Sequence, residues 1–187
     1  MLTTARAADD VALLTGTGGH DLVTAVLAAE GLVTRGCDVH AVHHRPGVGV
    51  SVGYAVRWAA TGTAPTGSEE YLVASTAPLP ADAAAVPGCT TAVADGRPVT
   101  VWRFPADPAL PGLADATSPA AVAAMLDVAP HDVELQLVTY RPLRRAVVRV
   151  RTPGRTAYLK VVRPHTAADL VRRHALLLDA GLPAAPA

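Results

Sequence analysis

The chain has 187 residues, of which half are hydrophobic, and its 16 lysines and arginines balance 16 aspartates and glutamates. A neutral chain has no overall positive field with which to hold nucleic acid or an anionic membrane. No segment approaches the ~18 consecutive apolar residues of a spanning helix. The N-terminal segment MLTTARAADD has acidic residues where a secretory signal would have its apolar core. We therefore expect a cytoplasmic protein with no nucleic-acid or membrane partner.

Residues 1–104 predict a helix followed by antiparallel strands. After a short apolar run, Val11 to Leu14, and the glycine-rich segment Gly16–Gly19, apolar side chains keep helical spacing from His20 to Thr34. Gly36 predicts the end of this helix. Strand-like segments follow at Cys37–His44, Val48–Ala59, Glu69–Thr76, Cys89–Ala94 and Pro98–Phe104, with loops at Thr61–Ser68 and Ala77–Gly88. Asp95-Gly96 is typical of a tight hairpin. A helix that covers an antiparallel meander predicts a small α+β unit.

Residues 105–128 predict a stiff linker and a short helix, and residues 129–187 predict a second unit. The linker contains Pro105, Pro108 and Pro111, and Ser118 is a typical N-cap for a helix that runs to about Asp127. Alternating and strand-like segments follow at Val133–Tyr140, Ala146–Arg151 and Thr156–Val162, and a helix is expected from Thr166 to Leu178. The second unit is therefore predicted to contain antiparallel strands followed by a helix.

Lys160 is the only lysine in a chain with fifteen arginines. In so lysine-poor a chain, arginine takes the place of lysine wherever only a positive charge is needed. It cannot do so where a compact ammonium on a flexible stem is needed. Lys160 lies in the third strand of a series strand, turn, strand, turn, strand, helix. Kinase nucleotide lobes begin with this order, and their third-strand lysine reaches the α- and β-phosphates of ATP. The alternative is an ordinary meander with a solvated lysine.

Parts of the second unit resemble a known family. The similar segments are Tyr140–Val150, Tyr158–Val162, Val171–Leu177 and Ala180–Pro183. They resemble the N-lobe of actinobacterial aminoglycoside phosphotransferase-like kinases, which include maltokinase and glucosamine kinase relatives. The resemblance implies a cystatin-like cap over residues 1–104, a helix on an antiparallel sheet, before a partial kinase-like N-lobe over 129–187. It also implies ATP and Mg²⁺ as cofactors, with a hydroxyl of a sugar or aminoglycoside-like molecule as the acceptor. Lys160 is then the expected ligand of the ATP phosphates, with Arg144 and Arg145 as contacts from the turn.

The sequence departs from this family pattern at three places. Leu143 stands where the phosphate-covering turn would have a glycine, and Arg173 stands where a helix glutamate would pair with Lys160. No HxD-type loop or later metal-binding aspartate of a C-lobe follows within residues 1–187. We therefore expect the N-terminal part of a phosphotransferase, inactive alone. The alternative is a non-catalytic α+β interaction module. An exposed apolar face favours the first interpretation, and a fully covered sheet favours the second.

One cluster suggests a metal site. Cys37, His40, His43 and His44 are thiol and imidazole ligands of the kind that bind Zn²⁺ or Cu²⁺. On a regular strand, however, His40 and His44 would share one face and Cys37 and His43 the other. We therefore interpret this segment as a polar strand edge and predict no metal site. The two cysteines, Cys37 and Cys89, form no disulfide framework.

Three further groups have both a structural and a functional interpretation. The segment Gly16–Gly19 precedes a helix and could hold an anion, but it lacks the lysine of a phosphate loop, so we expect a flexible cap. The aromatic residues are predicted to lie in the core rather than on a sugar-binding surface; they are Tyr54, Trp58, Tyr71, Trp102 and Phe104. The arginines from Arg141 to Arg155 are expected to form a phosphate-facing rim or a solvated strand face.

Overall fold

The computed structural model describes residues 4–60, 68–79 and 86–182. The chain divides into two compact units, residues 1–108 and 109–187. This division falls within the segment predicted as a linker. Most of the two long loops expected near residues 61–68 and 77–88 lies outside the described residues. Across the described ranges no single helix has both the length and the apolar character to cross a membrane. Two consecutive N-terminal helices, bent by 53°, meet those criteria only when they are counted together.

The first unit contains two helices and an antiparallel sheet, which we call sheet I. The elements are α1 (Thr4–Thr15), α2 (Thr17–Ala29), β1 (Leu32–Arg45), β2 (Gly49–Ala60), β3 (Ser68–Ser75), β4 (Cys89–Ala94) and β5 (Arg97–Arg103). The predicted α+β class with an antiparallel sheet is confirmed. The predicted meander order is wrong, because the strands lie in the order β1-β2-β3-β5-β4. The final hairpin is reversed, so that β5 pairs with β3 and β4 lies at the edge.

The N-terminal helices differ from the prediction in their bounds. The helix expected from His20 to Thr34 begins at Thr17 and ends at Ala29, and α1 was not expected. Gly31 has φ +75°, a conformation that glycine adopts easily and that ends a helix. The chain then enters β1 at Leu32, and the β-branched Val33 belongs to that strand rather than to the helix.

Apolar residues of α1 and α2 pack against one face of sheet I. The core comprises Leu14, Leu22, Val23 and Leu27 from the helices, with Val50, Val52, Tyr54, Val56, Leu72, Ala74, Val99 and Val101 from the strands. Tyr54 Oη donates a hydrogen bond of 2.5 Å to the carbonyl oxygen of Leu14, which joins β2 to α1. The predicted Asp95-Gly96 hairpin is confirmed, and both residues have positive φ, at 49° and 69°.

The second unit contains an antiparallel sheet, which we call sheet II, with its helices. The elements are α3 (Leu113–Ala116), α4 (Pro119–Leu126), a 3-10 turn (Pro130–Asp132), β6 (Glu134–Arg141), β7 (Arg145–Thr152), β8 (Arg155–Val162) and α5 (Pro164–Asp179). The strand order is β6-β7-β8, so the predicted strands followed by a helix are confirmed. The predicted N-cap is also confirmed, because Ser118 Oγ accepts a hydrogen bond of 3.3 Å from the amide of Ala121. Val122 and Ala123 of α4 pack against Val133 and Val150.

Candidate anion-binding site

The two faces of sheet II differ sharply in polarity because β7 alternates. Ala146, Val148 and Val150 are buried, and Val150 packs against α4. The intervening side chains include Arg145 and Arg149, which must lie on the opposite face because successive strand residues point to opposite sides. The sequence pattern of β7 therefore separates an apolar face, which is covered, from a basic face.

Lys160 lies on this basic face. It pairs across the strands with Val147, while Arg149 pairs with Tyr158 and Arg145 pairs with Val162. Paired residues of an antiparallel sheet share a face, and diagonal neighbours lie roughly 7–8 Å apart between Cα atoms. Arg145 and Arg149 are therefore the two diagonal neighbours of Lys160 on the adjacent strand. We call the surface formed by Arg141, Arg145, Arg149 and Lys160 the cationic face; Arg141 joins it because it pairs with Arg145.

The charges of the cationic face are not neutralised within the unit. Among residues 109–182, none of its four side chains forms an ion pair or hydrogen bond. The Nε atoms of Arg145 and Arg149 are also shielded from solvent and lack a hydrogen-bond partner. By contrast, the next arginine of the strand, Arg151, lies 3.6 Å from Glu134. The cationic face thus retains unpaired donors that an anion could satisfy.

The neutral total charge conceals a segregation between the two units. Residues 109–187 contain ten lysines and arginines against six aspartates and glutamates, and residues 1–108 contain six against ten. The whole chain therefore has no net charge, but the second unit is positively charged. Local positive charge of this kind raises the concentration of anions near the surface.

The turn between β6 and β7 is fixed by its own residues. Leu143 has φ +60°, a left-handed conformation that favours glycine, and its side chain is buried. The Arg144 amide donates to the carbonyl oxygen of Arg141 at 3.1 Å. Arg163 Nε donates to the carbonyl oxygen of Leu143 at 2.8 Å. Leu143 therefore anchors the turn while it adopts a backbone conformation that favours glycine, and the Arg144 side chain is exposed.

Of the predicted site residues, the structure places Lys160 and Arg145 on one sheet face and Arg144 in the adjoining turn. The Lys160 side chain is exposed and has no carboxylate partner among the described residues. Arg173 is exposed on α5, where Asp169 pairs with Arg172 at 2.9 Å. Arg149 was not among the predicted site residues. The signal available for it was the even-numbered spacing of Arg145, Arg149 and Arg151 along β7, which places all three on one face.

Helix α5 presents a partly exposed apolar surface. No residue of α5 is buried, and Val171, Leu176 and Leu178 are 55–62% exposed. The half-buried positions, which include Leu170 and His174, follow helical spacing. An apolar surface on a helix is typical of an element that contacts another part of a protein.

The cysteine and histidine cluster of β1 does not assemble. β1 contains register shifts between Thr34 and Gly36 and between Val39 and Ala41. The second shift turns His40 towards Tyr71, with ring centroids 5.4 Å apart, while His44 pairs with Val50. The expected shared face of His40 and His44 is therefore wrong, because a bulge interrupts the alternation. In the described ranges no group of three or more metal-ligating side chains occurs.

Gly19, in the first turn of α2, has a packing role. A Cβ atom on Gly19 would lie 2.1 Å from the carbonyl oxygen of Leu14 and 2.5 Å from Tyr54 Oη. The close approach of α2 to α1 and β2 therefore requires glycine here. Gly16 is the N-cap residue of α2, and the flexibility expected for this segment stays a prediction. A groove of about 950 Å³ borders this helix junction. Its guanidinium, Arg97, is already engaged by the carboxylates of Asp9 and Asp10.

The aromatic residues of the first unit are mainly structural. Tyr54 and Trp102 are each 1% exposed, so the predicted core role is confirmed for both. Tyr71 makes edge-on contacts with the rings of His40 and Phe104. Half-burial raises the pKa of Tyr71, and burial of Tyr54 raises its pKa further. These contacts engage the rings with one another rather than leaving them as a flat binding surface.

Comparison of the chain with family models, curated proteins and solved structures found no match. The family resemblance therefore depends on the sequence segments quoted above.

Proposed function

We propose that the second unit is the nucleotide-binding N-lobe of an ATP-dependent phosphotransferase, with the first unit as its cap. In this proposal Lys160 contacts the phosphates of ATP, and Arg144 and Arg145 contribute from the turn and the start of β7. The observation that carries the proposal is the position of Lys160. It shares a sheet face with arginines that have no acidic partner among residues 109–182, at the strand where a kinase lysine is expected.

The chemistry of the cationic face supports an oligophosphate as its ligand. Guanidinium groups bind phosphate oxygens through paired N–H donors, and an ammonium acts as a compact point charge. The guanidinium groups of Arg145 and Arg149 have no acidic partner among residues 109–182. These residues therefore fit the phosphates of ATP.

A side chain beside these cations supports a nucleoside as the rest of the ligand. Tyr158 is 62% exposed and shares the face of Lys160, two residues earlier on β8. An exposed aromatic ring next to phosphate-binding cations provides a surface on which a base can stack. The ring of Tyr158 does not pack in the core of sheet II.

The apolar surface of α5 supports a missing covering domain rather than a complete interaction module. Fully burying one valine or leucine side chain stabilises a protein by roughly 1.5–3 kcal/mol. Because Val171, Leu176 and Leu178 are exposed, burying them against another domain would stabilise the contact with that domain. We propose that a C-lobe covers this helix and supplies the catalytic base. The chain alone would then bind ATP without transferring phosphate.

The described residues do not fit the expected Mg²⁺ ion. Mg²⁺ requires oxygen ligands, usually carboxylates together with phosphate oxygens. The carboxylate on the basic side of sheet II, Glu134, already faces Arg151. We therefore derive no step through a metal ion. The proposed acceptor, a hydroxyl of a sugar or aminoglycoside-like molecule, and a cytoplasmic location are supported by the resemblance and the sequence pattern.

Titration calorimetry of the full chain with ATP tests this proposal. Lys160→Ala should weaken binding about tenfold, the effect of one charge-assisted contact of ~1.4 kcal/mol. Arg155→Ala is the matched control, because Arg155 is an exposed cation at the opposite end of β8. Equal affinities for the two variants would reject Lys160 as a phosphate ligand. Failure of the wild-type chain to bind ATP would reject the function.

A further inference from the structure

We propose that Arg149 is a phosphate ligand and that Arg149 and Lys160 bind one oligophosphate between them. The ligand class depends on the proposed function, but the anion site is inferred from the geometry of sheet II. In this arrangement side chains from two adjacent strands supply the donors that backbone amides of a glycine-rich turn would otherwise supply.

The strand register brings the two cations together. Arg149 pairs with Tyr158, and Lys160 pairs with Val147, so the two charges occupy diagonal positions on one face. At roughly 7–8 Å between Cα atoms, two long side chains can converge on one ligand. The apolar side chain of Val147 lies between Arg145 and Arg149 along β7, opposite Lys160 on β8.

No acidic side chain among residues 109–182 neutralises Arg149. A guanidinium without a carboxylate partner can bind an anion through its N–H donors. The residue opposite Arg149 on β6 is Gln136, which carries no charge. Arg151, two residues further on the same face, meets Glu134 at 3.6 Å. Arg151 is therefore paired with a carboxylate, whereas Arg149, the neighbouring arginine on the same face, is not.

A compact, highly charged ligand fits better than an extended polyanion. The unpaired cations converge around Val147 rather than along a stripe, and Lys160 and Arg149 come from different strands. A nucleic-acid surface would combine a longer basic track with several interleaved aromatic rings. Among residues 109–182, Tyr158 is the aromatic side chain on this face.

Calorimetric titration of the full chain with inorganic tripolyphosphate tests the inference. Arg149→Gln and Lys160→Gln should each weaken binding about tenfold, because each removes one charge-assisted contact. Arg151→Gln is the matched control, since Arg151 has the same strand, face and charge but a carboxylate partner, and it should change affinity less than about twofold. Circular dichroism verifies folding. If Arg149→Gln does not fold, Arg149→Lys replaces it and should bind about threefold more weakly.

Each outcome separates the anion site from the proposed function. The inference is overturned if Arg149→Gln and Arg151→Gln bind tripolyphosphate with equal affinity. It is also overturned if Arg149→Lys binds with wild-type affinity, or if the wild-type chain does not bind tripolyphosphate. ATP binding that requires Lys160 but not Arg149 would also overturn it while leaving the function intact. If tripolyphosphate binding requires both residues and ATP binds no better, the anion site stands and the nucleotide function fails. A single-stranded oligonucleotide that outcompetes tripolyphosphate would assign the face to nucleic acid and overturn the inference.

Discussion

Arg163 Nε donates a hydrogen bond of 2.8 Å to the carbonyl oxygen of Leu143, twenty residues earlier. This contact ties the residue after β8 to the turn between β6 and β7. The turn borders the cationic face, because Arg145 begins β7 directly after it. The conformation of the turn and the position of the proposed phosphate ligands are therefore linked through Arg163.

Removal of this contact should destabilise the second unit. We expect Arg163→Ala to lower the free energy of unfolding by about 1 kcal/mol, the value of one hydrogen bond to a charged donor that is partly exposed. Urea denaturation measures this change. Arg155→Ala, which removes an exposed arginine with no ion pair to any residue that the structure describes, should change stability less than about 0.5 kcal/mol. Equal stability of the two variants would show that the Arg163 contact does not fix the turn.

Substitution of Leu143 by glycine should destabilise the second unit less than substitution by alanine. Leu143→Ala loses a buried side chain and keeps a strained left-handed backbone, so we expect a loss of about 3 kcal/mol. Leu143→Gly loses the same contacts, but glycine relieves the backbone strain, which is worth about 1 kcal/mol. Leu143→Gly should therefore be the more stable of the two in urea denaturation. If Leu143→Ala is more stable, Leu143 does not have positive φ in solution.

Gly19 should tolerate a methyl group much less well than its neighbour Gly18. Gly19→Ala places a Cβ against the Leu14 carbonyl and Tyr54 Oη, so we expect a loss of more than ~2 kcal/mol. Gly18→Ala meets mainly the flexible end of the Leu13 side chain and should cost less than half as much. Thermal denaturation compares the two variants. A Gly18→Ala variant that is less stable than Gly19→Ala would contradict the packing at the helix junction.

The first unit should lose stability at alkaline pH. Burial raises the pKa of Tyr54 above the ordinary tyrosine value of about 10, and the nearby Cys37 raises it further. The folded state therefore favours the protonated phenol, which donates to the Leu14 carbonyl. This contribution is complete below about pH 10 and is lost as the pH rises above that value. Burial raises the pKa values of Cys37 and Cys89 in the same direction.

Tyr54→Phe isolates this effect. The variant should be about 1 kcal/mol less stable than wild type at pH 8, because it lacks the hydrogen bond. Between pH 8 and about 10.5 it should lose less stability than wild type, because the shifted phenol is absent. Urea denaturation at the two pH values gives both comparisons. Parallel losses in the two proteins would show that Tyr54 does not titrate differently in the folded state.

The sequence predicts elements well where their local signals are complete. The bounds of β4 agree at Cys89 and Ala94, and the hairpin at Asp95-Gly96 follows from residues that accept positive φ. The alternation of β7 also predicts which face of sheet II is polar. These features depend on neighbouring residues alone, so no long-range information is needed.

The remaining errors arise from interactions that are distant in sequence. The apolar run from Val11 to Leu14 is too short to show a helical period, although α1 forms by packing Leu14 into the core. The pairing of β5 with β3 depends on the fold of the whole unit, and the bulge at His40 has no local signal. For the site, the unpaired state of Arg149 depends on Gln136 and Glu134 of another strand. The sequence alone could not identify which arginines lack a carboxylate.

The single lysine makes the central claim directly measurable. Protein labelled with ¹³C-lysine should give one lysine side-chain spectrum, from Lys160, because the chain has no other lysine. ATP should shift the Lys160 Cε resonance to saturation in the wild-type chain, with the same affinity that calorimetry gives. Arg155→Ala should preserve this shift. A Lys160 resonance that stays unchanged while the protein is saturated with ATP would contradict the claim that this ammonium binds the phosphates.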